Sequence, residues 1–264
     1  MVSYVDEKIG KILDVLKETG LDDNTVVVFC GDHGEMLGER GMWFKQSFYE
    51  SSVRVPMIVS MPKRFAPARV SAHVSLVDLL PTFMDLAYNN HAPEPVGPLH
   101  GNSLVPLLNG EDAGHDRRVI SEYSSEGVSA ASRMLRDGPW KYIFTYGLSP
   151  MLFNLETDPD ELQNLAGNAE YASTQQRLHA RLVEDWDPAT MHARILASQK
   201  ERLFLAEVAS ASSKTPNWAY QPFVDETQRF IRGSGTAGPT SVKARARFPY
   251  VEPVQPDKPS DKPA

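Results

Sequence analysis

Residues 25–45 read Thr-Val-Val-Val-Phe-Cys-Gly-Asp-His-Gly-Glu-Met-Leu-Gly-Glu-Arg-Gly-Met-Trp-Phe-Lys. The first six residues are β-branched or apolar without interruption, which is typical of a parallel strand buried on both faces. A polar, glycine-rich segment follows directly. In open α/β sheets, ligands bind beyond the carboxyl ends of such strands. The stretch therefore predicts a buried strand that leads into a functional loop.

The flanking segments predict the rest of an α/β layer fold. A helix is predicted before the strand and ends at Gly20, a residue suited to a left-handed C-terminal cap. A second strand at 53–61 and a helix at 74–87 are predicted after the loop, which completes an α-β-β-α order. The apolar face of the first helix needs a partner elsewhere; it contains Val5, Ile9, Ile12, Leu13 and Leu16.

Composition divides the chain into four predicted segments. The first is the α/β part, and the second is a smaller β-rich subdomain with strands near 118–123, 132–135 and 140–146 and a covering helix near 171–186. The third is an extension, and the last, rich in Pro, Lys and Asp, is expected to be disordered. The predicted boundaries give segments 1–110, 111–190, 191–251 and 252–264.

The bulk composition excludes several classes of partner. A net charge of -7 and a pI near 5.5 argue against a nucleic-acid or anionic-membrane binder. The basic run at 243–247 is short, and a surface or interface role fits it better than nucleic-acid binding. No signal peptide or membrane-length apolar span is recognised. The single cysteine, Cys30, excludes an internal disulfide and predicts a cytoplasmic location.

Asp32 and His33 are the first candidate site residues. Glycines on both sides let the backbone turn so that both side chains can face one point. A carboxylate oxygen with an imidazole nitrogen suits a divalent cation, which would polarise an ester or position a nucleophile. Lys45 could offset the charge of an anionic group being transferred. Taken alone, the same residues fit a turn cap, a loop histidine and a solvated lysine, since two ligands do not specify a metal site.

The longer pattern from Gly31 to Lys45, Gly-Asp-His-Gly-Glu-x-Leu-Gly-Glu-x-Gly-x-Trp-x-Lys, resembles the second metal-ligand motif of the sulfatases, in the alkaline-phosphatase-like superfamily. The resemblance implies part of a mostly parallel, sandwiched α/β sheet with a small β-rich C-terminal subdomain and an extended tail. It implies that Asp32 and His33 hold one divalent cation, calcium first with manganese or magnesium as alternatives, and that Lys45 contacts the sulfate. Segments resembling further sulfatase landmarks begin at Val53, Val74, Gly101 and Leu152.

The Asp-His pair, where many sulfatases have Asp-Asn, is similar to that of choline-sulfatases and phosphonate monoester hydrolases. Residues 217–232 and 244–249 resemble the C-terminal extension of choline-sulfatases, whereas the Gly-, Ser-, Thr- and Pro-rich residues 233–241 depart from it. This resemblance implies choline sulfate as the substrate and a homo-oligomer assembled through the extension. It also implies that Glu122, with Trp218 and Tyr220, receives the quaternary ammonium by charge and cation-π contact.

The sulfatase nucleophile is a formylglycine made from the first residue of Cys/Ser-x-Pro/Ala-x-Arg, and two more metal-binding aspartates accompany it. Cys30 precedes Gly-Asp-His and lacks this context, so we expect the nucleophile motif and these aspartates to be missing from the chain. The chain is then expected to correspond to the second half of a sulfatase and to be inactive alone. The alternatives are a phosphonate monoester or phosphodiester hydrolase and a non-catalytic fragment that binds another subunit.

Overall fold

The computed structural model describes residues 1–88, 93–111, 117–125 and 127–211. The chain divides into two compact units, Met1–Gln199 and Lys200–Ala264. Of the second unit, only residues 200–211 are described, and they are helical. The predicted domain boundaries stay predictions, and the predicted tail lies outside the described residues.

The first helix, α1 (Val2–Glu18), confirms the prediction from the apolar periodicity. Gly20 follows it in the left-handed conformation, with φ of 68°. The amides of Gly20 and Leu21 donate to the carbonyls of Lys17 and Leu16, both at 3.0 Å. These two bonds form a Schellman motif, so the helix ends at a glycine for the reason predicted.

The predicted parallel strand is instead paired antiparallel. Strand β1 (Val27–Cys30) pairs with β4 (Met57–Ser60) in a two-stranded sheet, and Phe29 is 39% exposed. The apolar face of α1 is also exposed to solvent: Val5 is 48% exposed and Ile12 is 63% exposed. An apolar run indicates that a strand is suited to burial. It does not indicate the direction of the neighbouring strand or which element covers it. The predictions of parallel pairing and of burial on both faces are therefore wrong for the described residues.

The segment between β1 and β4 contains more structure than predicted. The second strand begins at Met57 rather than at Val53, because Val53 ends a short helix. The predicted helix at 74–87 is confirmed as a 3-10 turn followed by an α-helix. Between β1 and β4 lie β2 (Met36–Leu37), β3 (Trp43–Phe44) and α2 (Glu50–Val53). After β4 come the 3-10 turn Leu76–Asp78, α3 (Leu79–Tyr88) and α4 (Val105–Leu108).

The β-rich part is a four-stranded antiparallel meander in the order β5-β6-β7-β8. The first three strands confirm the prediction, and the fourth was missed. The strands are β5 (Val119–Tyr123), β6 (Ser132–Asp137), β7 (Trp140–Thr145) and β8 (Met151–Asn154). Helix α5 (Ala172–Leu182) confirms the predicted covering helix, whereas α6 (Pro188–Ala211) was not predicted. Within the described part of the chain, no helix combines the length and apolar character needed to cross a membrane.

Each face of this sheet has its own core. One face packs against α5 through a cluster formed by Ala131, Leu135, Tyr142, Leu152, Leu178, Leu182 and Trp186. The other face receives the segment before α2, because Phe48 is buried in a second cluster with Met134, Ile143 and Phe153. The sheet therefore supports the loop that carries the candidate functional residues.

Tyr142 makes the first core sensitive to alkaline pH. Its side chain is 1% exposed, its hydroxyl lies 3.2 Å from Nδ1 of His179, and burial raises the pKa of Tyr142 to about 12. Because the pKa is higher in the folded state, the stability is fully present below pH 10 and is lost as the pH rises through 12. We expect a loss on the order of 2–3 kcal/mol. Denaturant titrations at pH 9 to 12 should show a flatter profile for Tyr142→Phe and an unchanged one for the exposed Tyr4→Phe.

Candidate functional site

Asp32 and His33 face each other just beyond β1. Oδ2 of Asp32 lies 3.3 Å from Nε2 of His33, and Oδ1 of Asp32 accepts a hydrogen bond from the His33 amide at 3.0 Å. Nδ1 of His33 lies 2.7 Å from the carbonyl oxygen of Gly34. The Asp32 side chain is 87% exposed and that of His33 is 33% exposed. The predicted convergence of the two side chains is therefore present, on the solvent side of the loop.

These two donors fit part of the coordination shell of a divalent cation. If Nδ1 of His33 carries the proton and donates it to the Gly34 carbonyl, Nε2 keeps its lone pair on the side of the Asp32 carboxylate. A carbonyl that fixes the tautomer in this way is the usual support of a metal-binding imidazole. Within the described ranges, no group of three or more His, Cys, Asp and Glu is arranged to hold a metal ion. Among the described residues, Asp32 and His33 therefore offer two candidate metal donors.

Lys45 lies at the end of the β2–β3 hairpin with its side chain exposed. Phe44, directly before it, has a positive φ of 73°. The carbonyl of Lys45 accepts hydrogen bonds from the hydroxyl of Ser52 at 2.5 Å and from the amide of Ser47 at 2.8 Å. The backbone of Lys45 is therefore held, while its ammonium group is accessible to an anion.

Helix α2 joins the turn at Asp32 and His33 to residues 40–47, the Lys45 loop. The carbonyls of Ser52 and Ser51 accept hydrogen bonds from the amides of Gly34 and Glu35, both at 2.7 Å. Ser52, which is 2% exposed, also binds the carbonyl of Lys45 through its hydroxyl. Sequence reasoning missed this connection because it assigned the neighbouring residues to a strand. The two predicted parts of the site are thus fixed to the same helical turn.

Glu122 is paired with a buried arginine. Its carboxylate accepts hydrogen bonds from Nε of Arg133 at 2.7 Å and from Nη2, while Nη1 binds Asp185 at 2.6 Å. The hydrogen bond from Arg133 lowers the pKa of Asp185. Since Arg133 is 7% exposed, both acids balance a charge inside the protein. The ion pair gives Glu122 a structural role, and its contact with an ammonium group stays a prediction.

The loop that follows β5 nevertheless lies close to the candidate site. A Cβ atom placed on Gly127, in the loop that follows β5, would lie 3.9 Å from Cβ of Gln46, the neighbour of Lys45. Trp218 and Tyr220, the other predicted contacts of the ammonium, lie outside the described residues.

The segments that begin at Val74 and Gly101 have a structural role. Asp78 is 6% exposed and accepts hydrogen bonds from the amides of Ser75 at 2.9 Å and Asn102 at 2.8 Å. Its carboxylate also lies 3.4 Å from Nη1 of Arg117. These bonds hold the two segments together, which gives Asp78 a structural role.

The expectation that the letters of the nucleophile motif are missing is wrong. Ser60-Met-Pro-Lys-Arg64 and Ser129-Ala-Ala-Ser-Arg133 both fit them. Ser60, however, pairs with Val27 at the far end of the β1–β4 ladder, three residues or about 10 Å from the end that leads to Asp32. In the second match, Arg133 is engaged by Glu122 and Asp185. Neither serine is therefore assigned as a nucleophile.

Comparison with known sequences identifies two family models. The model described as sulfatase matches residues 1–89, and the one described as choline sulfatase enzyme C terminal matches residues 193–248. A choline-sulfatase of Rhizobium meliloti is 38% identical over 235 residues, which are 88% of this chain and 45% of that protein. Arylsulfatase K of Xenopus laevis is 32% identical over 80% of this chain and 40% of its own length. The chain thus spans less than half the length of these relatives.

Solved structures give the same family of folds. The phosphonate monoester hydrolase of Agrobacterium radiobacter matches 70% of this chain and 39% of its own, with a TM-score of 0.61 and 29% identity. BT4656, solved in complex with its substrate D-glucosamine-2-N,6-O-disulfate, matches 71% of this chain and 40% of its own, with a TM-score of 0.60 and 30% identity. The predicted alkaline-phosphatase-like α/β fold is therefore confirmed, and the sheets formed by the described residues are not closed.

Proposed function

This chain belongs to the sulfatase family of hydrolases, and from that membership we propose that it forms the cation-holding and sulfate-contacting part of a choline-sulfatase site. The reaction is the hydrolysis of choline sulfate to choline and sulfate. The observation that carries the proposal is the convergence of Asp32 and His33, attached through α2 to the loop of Lys45.

Each residue has a chemical role in this proposal. Asp32 and His33 hold a divalent cation, with calcium as the first choice because carboxylate oxygens suit a hard ion. When bound, such a cation lowers the energy of negative charge that develops on the sulfate oxygens. The ammonium of Lys45 acts on the same developing charge. Because sulfatases generally use a formylglycine, we propose that this nucleophile comes from a segment outside the 264 residues.

The C-terminal match supports two further proposals, one on the substrate and one on the assembly. Residues 193–248 match the choline sulfatase C-terminal family model. We propose that the aromatic residues Trp218 and Tyr220 receive the quaternary ammonium. We also propose that this extension joins copies of the chain into a homo-oligomer.

The test is sulfate release from choline sulfate with added calcium or manganese. The purified chain is assayed alone and mixed with a polypeptide that carries the Cys-x-Pro-x-Arg motif of a choline-sulfatase. We expect release in the mixture only. Release by the chain alone would contradict an external nucleophile, and mass spectrometry of the peptides with Ser60 and Ser129 would then reveal any conversion to formylglycine.

A phosphonate monoester hydrolase is the second candidate, because such an enzyme from Agrobacterium radiobacter is a structural neighbour at 29% identity. The same mixture is therefore assayed with a phenyl phosphonate monoester. Faster turnover of the phosphonate would replace the first proposal. Failure with both substrates would favour a non-catalytic subunit-binding role.

A further inference from the structure

One buried charged cluster has no part in the proposed chemistry. Lys141 of β7 is fully buried, and its ammonium lies 2.8 Å from Oε1 of Glu161 and 2.6 Å from Oε1 of Glu50. It also donates a hydrogen bond to the carbonyl of Phe48 at 2.8 Å. Glu161 is itself 4% exposed. One ammonium therefore holds two carboxylates and a backbone carbonyl that come from two separate segments, residues 48–50 and the segment of Glu161.

The cluster holds the start of α2. Glu50 is the first residue of that helix, and its amide donates to Oε2 of Glu161 at 2.8 Å. Glu50 is thus bound by its amide to Glu161 and by its carboxylate to Lys141. Ser51 and Ser52 follow directly, and their carbonyls accept hydrogen bonds from the amides of Glu35 and Gly34. A continuous series of contacts therefore connects β7 through α2 to the Asp32-His33 turn.

The segment around Glu161 also holds the beginning of the Lys45 loop. The guanidinium of Arg40 donates to the carbonyls of Glu161, at 2.5 Å, and Asp160, and lies 4.0 Å from the ring centroid of Tyr49. Glu161 itself has a positive φ of 54°, a conformation that is uncommon for a side-chain-bearing residue. Glu161 therefore bridges to Arg40 on one side of Lys45 and to Glu50 on the other.

Stability alone is a poor account of this arrangement. Burying an ammonium with carboxylates has a high desolvation cost, and well-packed apolar residues of similar volume are often as stable or more stable. The charged groups instead supply directional contacts, because each ion pair or hydrogen bond fixes the position of one atom of the loop. The neighbouring apolar cluster with Phe48, Met134 and Phe153 already provides burial on this face.

We propose that Lys141 and Glu161 are positioning residues that fix the cation-binding turn and the Lys45 loop relative to each other through α2. The inference rests on the proposed function only in that it takes Asp32, His33 and Lys45 as the site. Their direct effect is on the backbone at Gly34, Glu35 and Lys45, and it is measurable without any turnover.

The test is amide hydrogen exchange of the whole chain by NMR. Lys141→Met/Glu161→Gln removes the ammonium without leaving Glu161 charged, and we expect the amides of Gly34 and Glu35 to exchange at least about tenfold faster. Glu161→Gln alone keeps Lys141 and an oxygen that accepts from the Glu50 amide, so slow exchange should be retained. Leu178→Ala serves as the control because it weakens the opposite face of the sheet.

A second probe is manganese alone, followed through the broadening of the His33 ring signals. The double variant should require a higher manganese concentration than the Leu178→Ala variant for the same broadening. Equal acceleration of loop and sheet amides in the double variant, or an unchanged manganese titration, would overturn the inference. Since neither measurement involves choline sulfate, failure of the proposed function would be seen separately, as lack of sulfate release.

Discussion

Replacing Lys45 with alanine is expected to lower the kcat for choline sulfate by about 100- to 1,000-fold in the complemented mixture. Negative charge develops on the sulfate oxygens as the ester bond breaks, and an ammonium held near those oxygens stabilises the transition state more than the ground state. The side chain of Lys45 is exposed, while its carbonyl is held by Ser52. The substitution should therefore remove the charge and leave the loop backbone in place. Steady-state sulfate release measures the effect.

Lys63→Ala provides the matched control. Lys63 is also exposed, pairs with Asp23, and follows β4 at the end opposite to the Asp32-His33 turn. Its replacement should leave kcat within about twofold of the unchanged chain, since it has no role in the proposed chemistry. Equal losses for both variants would indicate a general electrostatic effect and would contradict a specific role of Lys45. Full activity of Lys45→Ala would remove Lys45 from the site.

Local signals in the sequence were sufficient for most elements of the fold. The periodicity of α1 and the cap at Gly20 depend on residues within two turns of each other, and the structure contains both. Strands β6 and β7 are joined by a tight turn that the sequence marks with Asp-Gly-Pro, and a glycine marks the longer connection between β5 and β6. In these cases the partner of each residue lies close along the chain, so a pattern alone predicts the contact.

Long-range contacts could not be predicted in this way. Lys141 stands between Trp140 and Tyr142 in β7, where alternation would place a lysine on a solvated face. It is instead fully buried, because Glu50 and Glu161 reach it from segments 91 and 20 residues away. The apolar run of β1 gave the opposite error, since Phe29 is partly exposed. Burial depends on the covering layer, and the sequence of one strand carries no information about that layer.

The glycines around the Asp-His pair were predicted to let the two side chains converge, and the side chains do converge, but for a different physical reason. The glycines were expected to allow a sharp turn, yet neither Gly31 nor Gly34 has a positive φ. Gly34 is needed for space, because a Cβ atom there would lie 2.1 Å from the carbonyl oxygen of Ser51. Gly31 has room, since its Cβ would meet Val55 at an ordinary 3.5 Å.

Gly34→Ala is therefore expected to lower the free energy of unfolding by about 2–4 kcal/mol. The added methyl group must push the turn away from α2, and overpacking of this kind costs about 1–3 kcal/mol. The displacement also weakens the hydrogen bonds from Gly34 and Glu35 to Ser52 and Ser51, each worth about 1 kcal/mol. Denaturant titration measures the loss, and manganese broadening of the His33 signals should weaken in parallel because the turn moves.

Gly31→Ala is the control, on the other side of the same Asp-His pair. Its methyl group makes only ordinary contacts and restricts the unfolded chain, so its stability should change by less than about 1 kcal/mol. If both substitutions had the same small effect, close approach to Ser51 would not be what holds the turn. A large loss for Gly34→Ala alone would show that the Asp32-His33 turn depends on its contact with α2, the same helix that holds the backbone of Lys45.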